Sequence, residues 1–151
     1  MSQSLAQVYL HIIYSTKHRE PFLVDDGLRR EMHAYIASIF KAYESLPLIV
    51  GGTTDHVHIL CTLPRTETYA KMIGKSKRNS SKWVKTKDPK LSNFMWQNGY
   101  GAFSVSHSLI SKVQAYISNQ EQHHQKKTFQ EELREFLTKH GITFDEQYIW
   151  D

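Results

Sequence analysis

The sequence predicts an α+β fold, a ferredoxin-like (split βαβ) antiparallel sheet with helices on one face, followed by C-terminal helices. Three observations predict it: short runs rich in β-branched and aromatic residues, apolar residues that recur every three or four positions between these runs, and turn residues at the junctions. The resulting order is β-α-β-β-α-β and then two helices. Residues 1–151 are expected to form one domain, because 151 residues suit a single hydrophobic core.

The first half of the chain contains three predicted strands and one predicted helix. Segment 7–15, QVYLHIIYS, has the composition of a strand. The helix that follows is capped by Asp25 or Asp26, and its apolar residues are three and four positions apart. The apolar runs 46–52 and 56–63 flank the turn sequence TTD and therefore predict an antiparallel pair of strands.

The second half contains one predicted strand and three predicted helices. A helix is expected over about 66–86 and another, after the short strand AFSVS at 102–106, over about 106–126. The last helix is the clearest, because Thr128 and Glu131 form a capping box ahead of an apolar stripe. The stripe consists of Phe129, Leu133, Phe136 and Leu137.

Positive charge is concentrated in one segment of the chain. The formal net charge is +4, yet Lys71–Lys90 alone contains eight basic residues and one acid. Five of these residues follow one another at intervals of three and four in the predicted second helix: Lys71, Lys75, Arg78, Lys82 and Lys85. This spacing stacks them along one side as a basic ridge, which is typical of a surface that binds nucleic acid. A solvated helix face is the alternative.

Composition disfavours several classes of protein. The hydrophobic content of 40% and the charged content of 23% are near globular averages, which argues against disorder. No apolar run approaches the roughly 20 residues of a membrane helix, and the N-terminus lacks the features of a secretory signal. The single cysteine, Cys61, excludes an internal disulfide and a thiolate metal cluster. We therefore expect a cytoplasmic protein with no membrane association and no organic cofactor.

Two histidines alternate in the apolar run DHVHIL at 55–60. Because side chains alternate between the two faces of a strand, His56 and His58 are expected on the same face. Two imidazoles at this spacing can bind one cation when a third ligand comes from another element. A hydrogen-bonded core histidine is the alternative for each, and the pair alone is a weak motif.

The predicted helix 106–126 contains residues that could complete such a site. Tyr116 and Gln120 are one turn apart on the same side. A glutamine carbonyl with two neutral imidazoles suits Mg²⁺ or Mn²⁺ bound jointly with a substrate phosphate. A tyrosine hydroxyl can act as a nucleophile, although core packing is the alternative for Tyr116. His123 and His124 are expected on a solvated helix face, with contacts to phosphate or to the ligands as the alternative.

Four segments of the chain carry a further signal: VYLHIIYSTKHREPFL at 8–23, DHVHIL at 55–60, WQNGYGAFSVS at 96–106 and YISNQEQHH at 116–124. In this order they resemble the single-tyrosine HUH-type transposase family of small bacterial insertion sequences. That family includes the tyrosine transposases associated with repetitive extragenic palindromes. The resemblance extends from about residue 7 to the end of the chain.

This resemblance implies a function and a site. It implies a transposase that cleaves and rejoins single-stranded DNA at hairpin-marked element ends through a 5′-phosphotyrosine intermediate. His56, His58 and Gln120 are then ligands of a divalent metal, Mg²⁺ or Mn²⁺, and Tyr116 is the nucleophile. A homodimer is implied as well. We expect Arg19 and the basic ridge to contact DNA; the ridge is centred on Lys75, Arg78 and Lys82.

Two other interpretations remain open from the sequence. The first is a non-catalytic nucleic-acid-binding ferredoxin-like module, which would stack bases on exposed aromatic residues of its sheet. The second, a two-histidine phosphoesterase, is disfavoured because no second histidine motif has the required spacing. Near the histidine pair, Asp55 either orients His56 or caps the turn, and His11 is expected in the core or on the surface rather than as a ligand.

Overall fold

The computed structural model describes residues 1–150 and contains a four-stranded antiparallel sheet in the order β2-β3-β1-β4. The strands are β1 (Tyr9–Ser15), β2 (Pro47–Gly52), β3 (His56–Thr62) and β4 (Gly101–Val105). The central strand β1 pairs with both β3 and β4, and β2 pairs with β3. A helix in each crossover completes the ferredoxin-like arrangement, which confirms the predicted fold class.

In the described residues 1–150, five α-helices accompany the sheet: α1 (Asp26–Ala42), α2 (Tyr69–Lys85), α3 (Ile110–Ser118), α4 (Gln120–His124) and α5 (Phe129–Lys139). Short 3-10 helices cover Lys17–Arg19, Pro89–Leu91 and His107–Leu109. Side chains start the long helices: Asp25 accepts a 2.7 Å hydrogen bond from Leu28 N at α1, and Thr68 caps α2. The capping box of Thr128 and Glu131 at α5 is present. Within residues 1–150, no helix is long and apolar enough to cross a membrane.

The two faces of the sheet have different neighbours. One face packs against α1 and α2 and forms the main apolar core, which includes Leu10, Ile12, Tyr14, Val57, Ile59, Met32, Ile36, Met72 and Ile73. On the other face, Ile13 and Phe103 pack against α5 in a smaller cluster. Alternation along β3 therefore places His56 and His58 on the face that the C-terminal helices cover.

The predicted continuous helix over 106–126 is wrong. A 3-10 helix occupies its start, and the helix is interrupted at Asn119, whose φ of −104° and ψ of 22° are not helical. The break separates α3 from α4. Gln120, the first residue of α4, places its Oε1 atom within hydrogen-bond distance of the imidazoles of His56 and His124.

Close packing at Gly51 fixes the position of α3 on the sheet. A Cβ atom at Gly51 would lie 2.9 Å from both the side chain and the carbonyl oxygen of Ile117. No real Cβ is accommodated at that separation without movement of α3. Because Ile117 directly follows Tyr116, the missing side chain of Gly51 helps to set the position of the tyrosine.

We expect Gly51→Ala and Gly74→Ala to change stability in opposite directions. The alanine at position 51 forces α3 away from β2 and should lower the free energy of unfolding by about 1–3 kcal/mol. Gly74 lies inside α2, and a methyl group added there would meet nothing within 4 Å, so its alanine should raise that free energy by about 0.5–1 kcal/mol. Urea denaturation measures both values. The same change in the free energy of unfolding for both variants would contradict close packing of α3 on β2.

Candidate active site

The two histidines of β3 lie side by side in the interior. His56 is opposite Ser15 and His58 is opposite Ile13 in the pairing with β1. His56 is 1% exposed and His58 is fully buried, and their ring centroids are 5.2 Å apart. Both belong to the face of the sheet that meets the C-terminal helices, so these helices control access to them.

Polar neighbours orient both imidazole rings. His56 Nδ1 lies 2.8 Å from Asp55 Oδ1 and 3.0 Å from Thr53 Oγ1, and His58 Nδ1 lies 2.8 Å from the buried His11 Nε2. Asp55 thus orients His56, and His11 belongs to the core. Burial lowers the pKa of His58 to about 4, so its imidazole is neutral at pH 7. These contacts leave the Nε2 atoms of His56 and His58 directed towards the helices.

Gln120 and Tyr116 approach the histidines from α3 and α4. Gln120 Oε1 lies 3.1 Å from His56 Nε2, and Gln120 Nε2 donates a 3.2 Å hydrogen bond to the carbonyl oxygen of Tyr116. The Tyr116 ring lies 5.7 Å from the His58 ring, centroid to centroid. The structure therefore brings together His56, His58, Gln120 and Tyr116, four residues that the sequence analysis selected.

Glu132 of α5 joins His56, His58, Gln120 and Tyr116 in one polar group, the histidine cluster. The sequence analysis missed this residue. Its carboxylate is 2% exposed and accepts a hydrogen bond from the Tyr116 hydroxyl. Burial would raise the pKa of this carboxyl, but contacts with His124 and His58 outweigh burial and hold the pKa well below its usual range. A signal was available, since Glu132 lies within the apolar stripe of α5, three residues after Phe129.

His124 also differs from the expectation of a solvated surface position. Its side chain is 13% exposed, and its Nε2 lies 3.0 Å from Gln120 Oε1 and 3.2 Å from Glu132 Oε2. His124 lies one turn after Gln120, so it is on the side of α4 that meets His56 and Glu132. His123 is more exposed, at 28% of its side chain, and lies at the edge of the cluster.

The chemistry of the cluster fits a metal ion. One ligand atom from each of His56, His58, His124 and Glu132 lies within 4.8 Å of all the others. Among the described residues 1–150, His58 Nε2 and Glu132 Oε1 are buried without a hydrogen-bond partner. Buried polar atoms are rarely left in this state. The histidine and carboxylate group can therefore hold a divalent cation.

The Tyr116 hydroxyl lies at the border of the cluster. The side chain is half-buried, and burial followed by the negative charge of Glu132 raises the pKa of the hydroxyl above its ordinary value. The group is consequently a neutral phenol at pH 7. A cavity of about 560 Å³ lies beside it, lined by Asn119, His123 and Lys126 among others.

Residues 4–120 match the family model of IS200-like transposases. The chain belongs to this family. The matching segment contains both histidines of β3, Tyr116 and Gln120. It ends before α5, so Glu132 lies outside the segment that establishes the transposase family. None of the curated proteins compared with the chain matches it.

Two solved structures share the fold of this IS200-like transposase. A candidate transposase from Deinococcus radiodurans R1 superposes with a TM-score of 0.57 and 23% sequence identity, covering 78% of this chain and 93% of that chain. A REP-associated tyrosine transposase bound to a REP hairpin superposes with a TM-score of 0.51 and 14% identity, covering 83% and 74% respectively. At these identities the likeness shows the fold.

One of the predicted DNA contacts of this transposase lies next to the cluster. Arg19 lines a cavity of about 430 Å³ together with Asp55, His56 and His124. Phe129 lines the same cavity, and its ring stacks on the His56 ring at 4.4 Å between centroids. The cavity gives a polar ligand a route from solvent to His56.

The other predicted DNA contacts lie away from the cluster. Arg78 and Lys82 are exposed on α2, and Lys75 is half-buried there. Since α2 packs on the face of the sheet opposite to the histidines, the structure does not bring the basic ridge into the site. The ridge and the histidine cluster form two separate polar regions.

Proposed function

We propose that this IS200-like transposase cleaves and rejoins single-stranded DNA at hairpin-marked element ends, with Tyr116 as the nucleophile. The observation that carries the proposal is the convergence of Tyr116 and Gln120 on the two histidines of β3. Gln120 Oε1 is 3.1 Å from His56 Nε2, and the Tyr116 ring is 5.7 Å from the His58 ring. Family membership supplies the reaction class, and the resemblance noted in the sequence supplies the hairpin substrate.

In this proposal the chain positions a phosphodiester for attack. The Tyr116 oxygen bonds to phosphorus as the bond from phosphorus to the 3′ oxygen breaks, which leaves a 5′-phosphotyrosine and a free 3′-hydroxyl. The proton lost by the Tyr116 hydroxyl is balanced by the proton that the departing 3′ oxygen takes up, and the hydrogen bond from Tyr116 to Glu132 holds the hydroxyl in place for attack. A divalent cation, Mg²⁺ or Mn²⁺, bound by His56, His58 and Gln120 would supply Lewis-acid polarisation of the phosphate.

Rejoining uses the same groups in reverse. The phosphotyrosine keeps the energy of the original phosphodiester, so a 3′-hydroxyl can displace Tyr116 without ATP. Arg19, in the cavity beside His56, is suited to contact a phosphate of the strand that is cut. Lys75, Arg78 and Lys82 on the opposite face are suited to phosphates further from the cut, such as those of the hairpin stem.

Further parts of the proposal come from the resemblance and the composition. We infer a homodimer, a single domain over residues 1–151, a cytoplasmic location and no organic cofactor. The tyrosine could then serve the site of its own subunit or that of its partner, and a mixed dimer of a tyrosine variant with a histidine variant distinguishes the two arrangements.

Tyr116→Phe is expected to abolish the covalent product. Without the hydroxyl no phosphotyrosine can form, so incubation with a hairpin-bearing single-stranded oligonucleotide and Mn²⁺ should leave no adduct on a denaturing gel. Tyr69→Phe is the matched control, because Tyr69 is 42% exposed at the start of α2. An adduct with Tyr116→Phe would exclude this nucleophile. DNA binding without an adduct in the unmodified chain would favour the non-catalytic module.

His56→Ala and His58→Ala are each expected to lower the rate of adduct formation by about 100-fold or more, because each removes a ligand. Both should also weaken Mn²⁺ binding in calorimetry. His107→Ala is the control, since His107 is exposed in a short 3-10 helix. Thermal melting verifies that the variants are folded. Normal cleavage by folded variants would rule out the metal assignment.

The basic ridge is tested by its contribution to the salt dependence of DNA binding. Arg78→Ala/Lys82→Ala should weaken binding at low salt and reduce the slope of log K against log salt by about 1 to 2, as expected for two lost phosphate contacts. Lys41→Ala/Arg65→Ala removes the same charge from exposed positions outside the ridge. Identical slopes for the two double variants, measured by fluorescence anisotropy, would show that the ridge does not bind DNA.

A further inference from the structure

We propose that Glu132 is a ligand of the same cation as His56 and His58, so that α5 supplies part of the active site. The inference rests on the proposed function and deepens it. It concerns a residue that lies outside the segment 4–120 matching the family. Through its second oxygen the same carboxylate holds the nucleophile.

The polar atoms of the cluster have the spacing of ligands around one ion. Glu132 Oε1 lies 3.0 Å from His58 Nε2, and Glu132 Oε2 lies 3.2 Å from His124 Nε2. Gln120 Oε1 lies 3.1 Å from His56 Nε2. Neighbouring ligands of an octahedral cation with bonds of about 2.1 Å are about 3.0 Å apart. Glu132 therefore occupies a ligand position next to His58.

His58 Nε2 and Glu132 Oε1 are two buried polar atoms that one shared cation would satisfy. They face each other at 3.0 Å, and within residues 1–150 neither forms a hydrogen bond. His58 Nδ1 is bonded to His11 Nε2; when the proton lies on Nδ1, a lone pair on Nε2 faces the carboxylate oxygen. In that tautomer two buried lone pairs face each other at 3.0 Å, and a cation coordinated by both would satisfy them.

The burial of the charged Glu132 carboxylate also favours a bound cation. A buried carboxylate is costly unless it is paired with positive charge. In the described part of the chain its ionic contacts are with His58, His123 and His124, and no lysine or arginine lies within 4.0 Å of it. A divalent cation would add a fixed double positive charge that these imidazoles do not supply.

Ligation by Glu132 connects the cation to the nucleophile. Oε2 accepts the hydrogen bond of the Tyr116 hydroxyl, whereas Oε1 faces His58. The carboxylate thus places the hydroxyl next to the ion that would polarise the phosphate. A site that combines imidazole nitrogens with a carboxylate is suited to Mn²⁺ and binds it more tightly than an all-neutral set.

Calorimetric titration of Mn²⁺ into the full chain without DNA tests the inference. Glu132→Gln is expected to weaken Mn²⁺ binding about tenfold or more. Glu135→Gln is the matched control and should leave the affinity unchanged, because Glu135 is exposed one turn further along α5 and pairs with Lys127. Tyr116→Phe should also leave it unchanged, since the hydroxyl is not a ligand.

Several outcomes would overturn the inference. Equal Mn²⁺ affinity of folded Glu132→Gln and the unmodified chain excludes Glu132 as a ligand, while loss of binding in His58→Ala would still support the proposed function. Tighter binding or more adduct in Glu132→Gln would mean that Glu132 blocks the site instead. Glu132→Asp is measured alongside in case the amide prevents folding. Its carboxylate is one methylene shorter and withdraws from the position next to His58, so we expect weaker Mn²⁺ binding, and unchanged affinity would contradict direct ligation at that position.

Discussion

The register between β1 and β3 is the constraint on which the rest of the structure depends. It pairs Ser15 with His56 and Ile13 with His58, and a shift by one residue would turn both histidines into the apolar core against α1 and α2. The apolar side chains of Ile12, Ile59 and their neighbours on that opposite face hold the register, because a shift would expose them. Apolar packing on one face of the sheet therefore determines where His56 and His58 lie on the other face.

This division explains how the fold tolerates a buried polar cluster. Burying histidines and a carboxylate opposes folding unless their atoms are paired. The larger core with α1 and α2 supplies stability that does not depend on the cluster, and the smaller contact of α5 with Ile13 and Phe103 brings Glu132 to the site. Occupation of the cluster by a cation would then stabilise the attachment of α5 by mass action.

Local patterns predicted the elements because strands, caps and helices depend mainly on neighbouring residues. The fold class, the capping box at Thr128 and the shared face of the two histidines follow from such patterns. The burial of His124 and of Glu132 depends on which side of a C-terminal helix meets the sheet, and periodicity alone does not determine that side. For Glu132 the acidic residue within an apolar stripe was a usable signal, since a charge at such a position requires a buried partner.

Part of the basic ridge lies towards the same end of the sheet as the histidine cluster. The helix α2 begins beyond the Thr62 end of β3 and runs back towards the end that holds His56. Near that end Trp96 Nε1 donates a 2.9 Å hydrogen bond to Ser80 Oγ, and Trp96 pairs with Thr16, which directly follows the strand partner of His56. Arg19 lies three residues further. Lys82 and Arg19 therefore both lie towards this end of the sheet, and the polar regions on its two faces are connected there through Trp96.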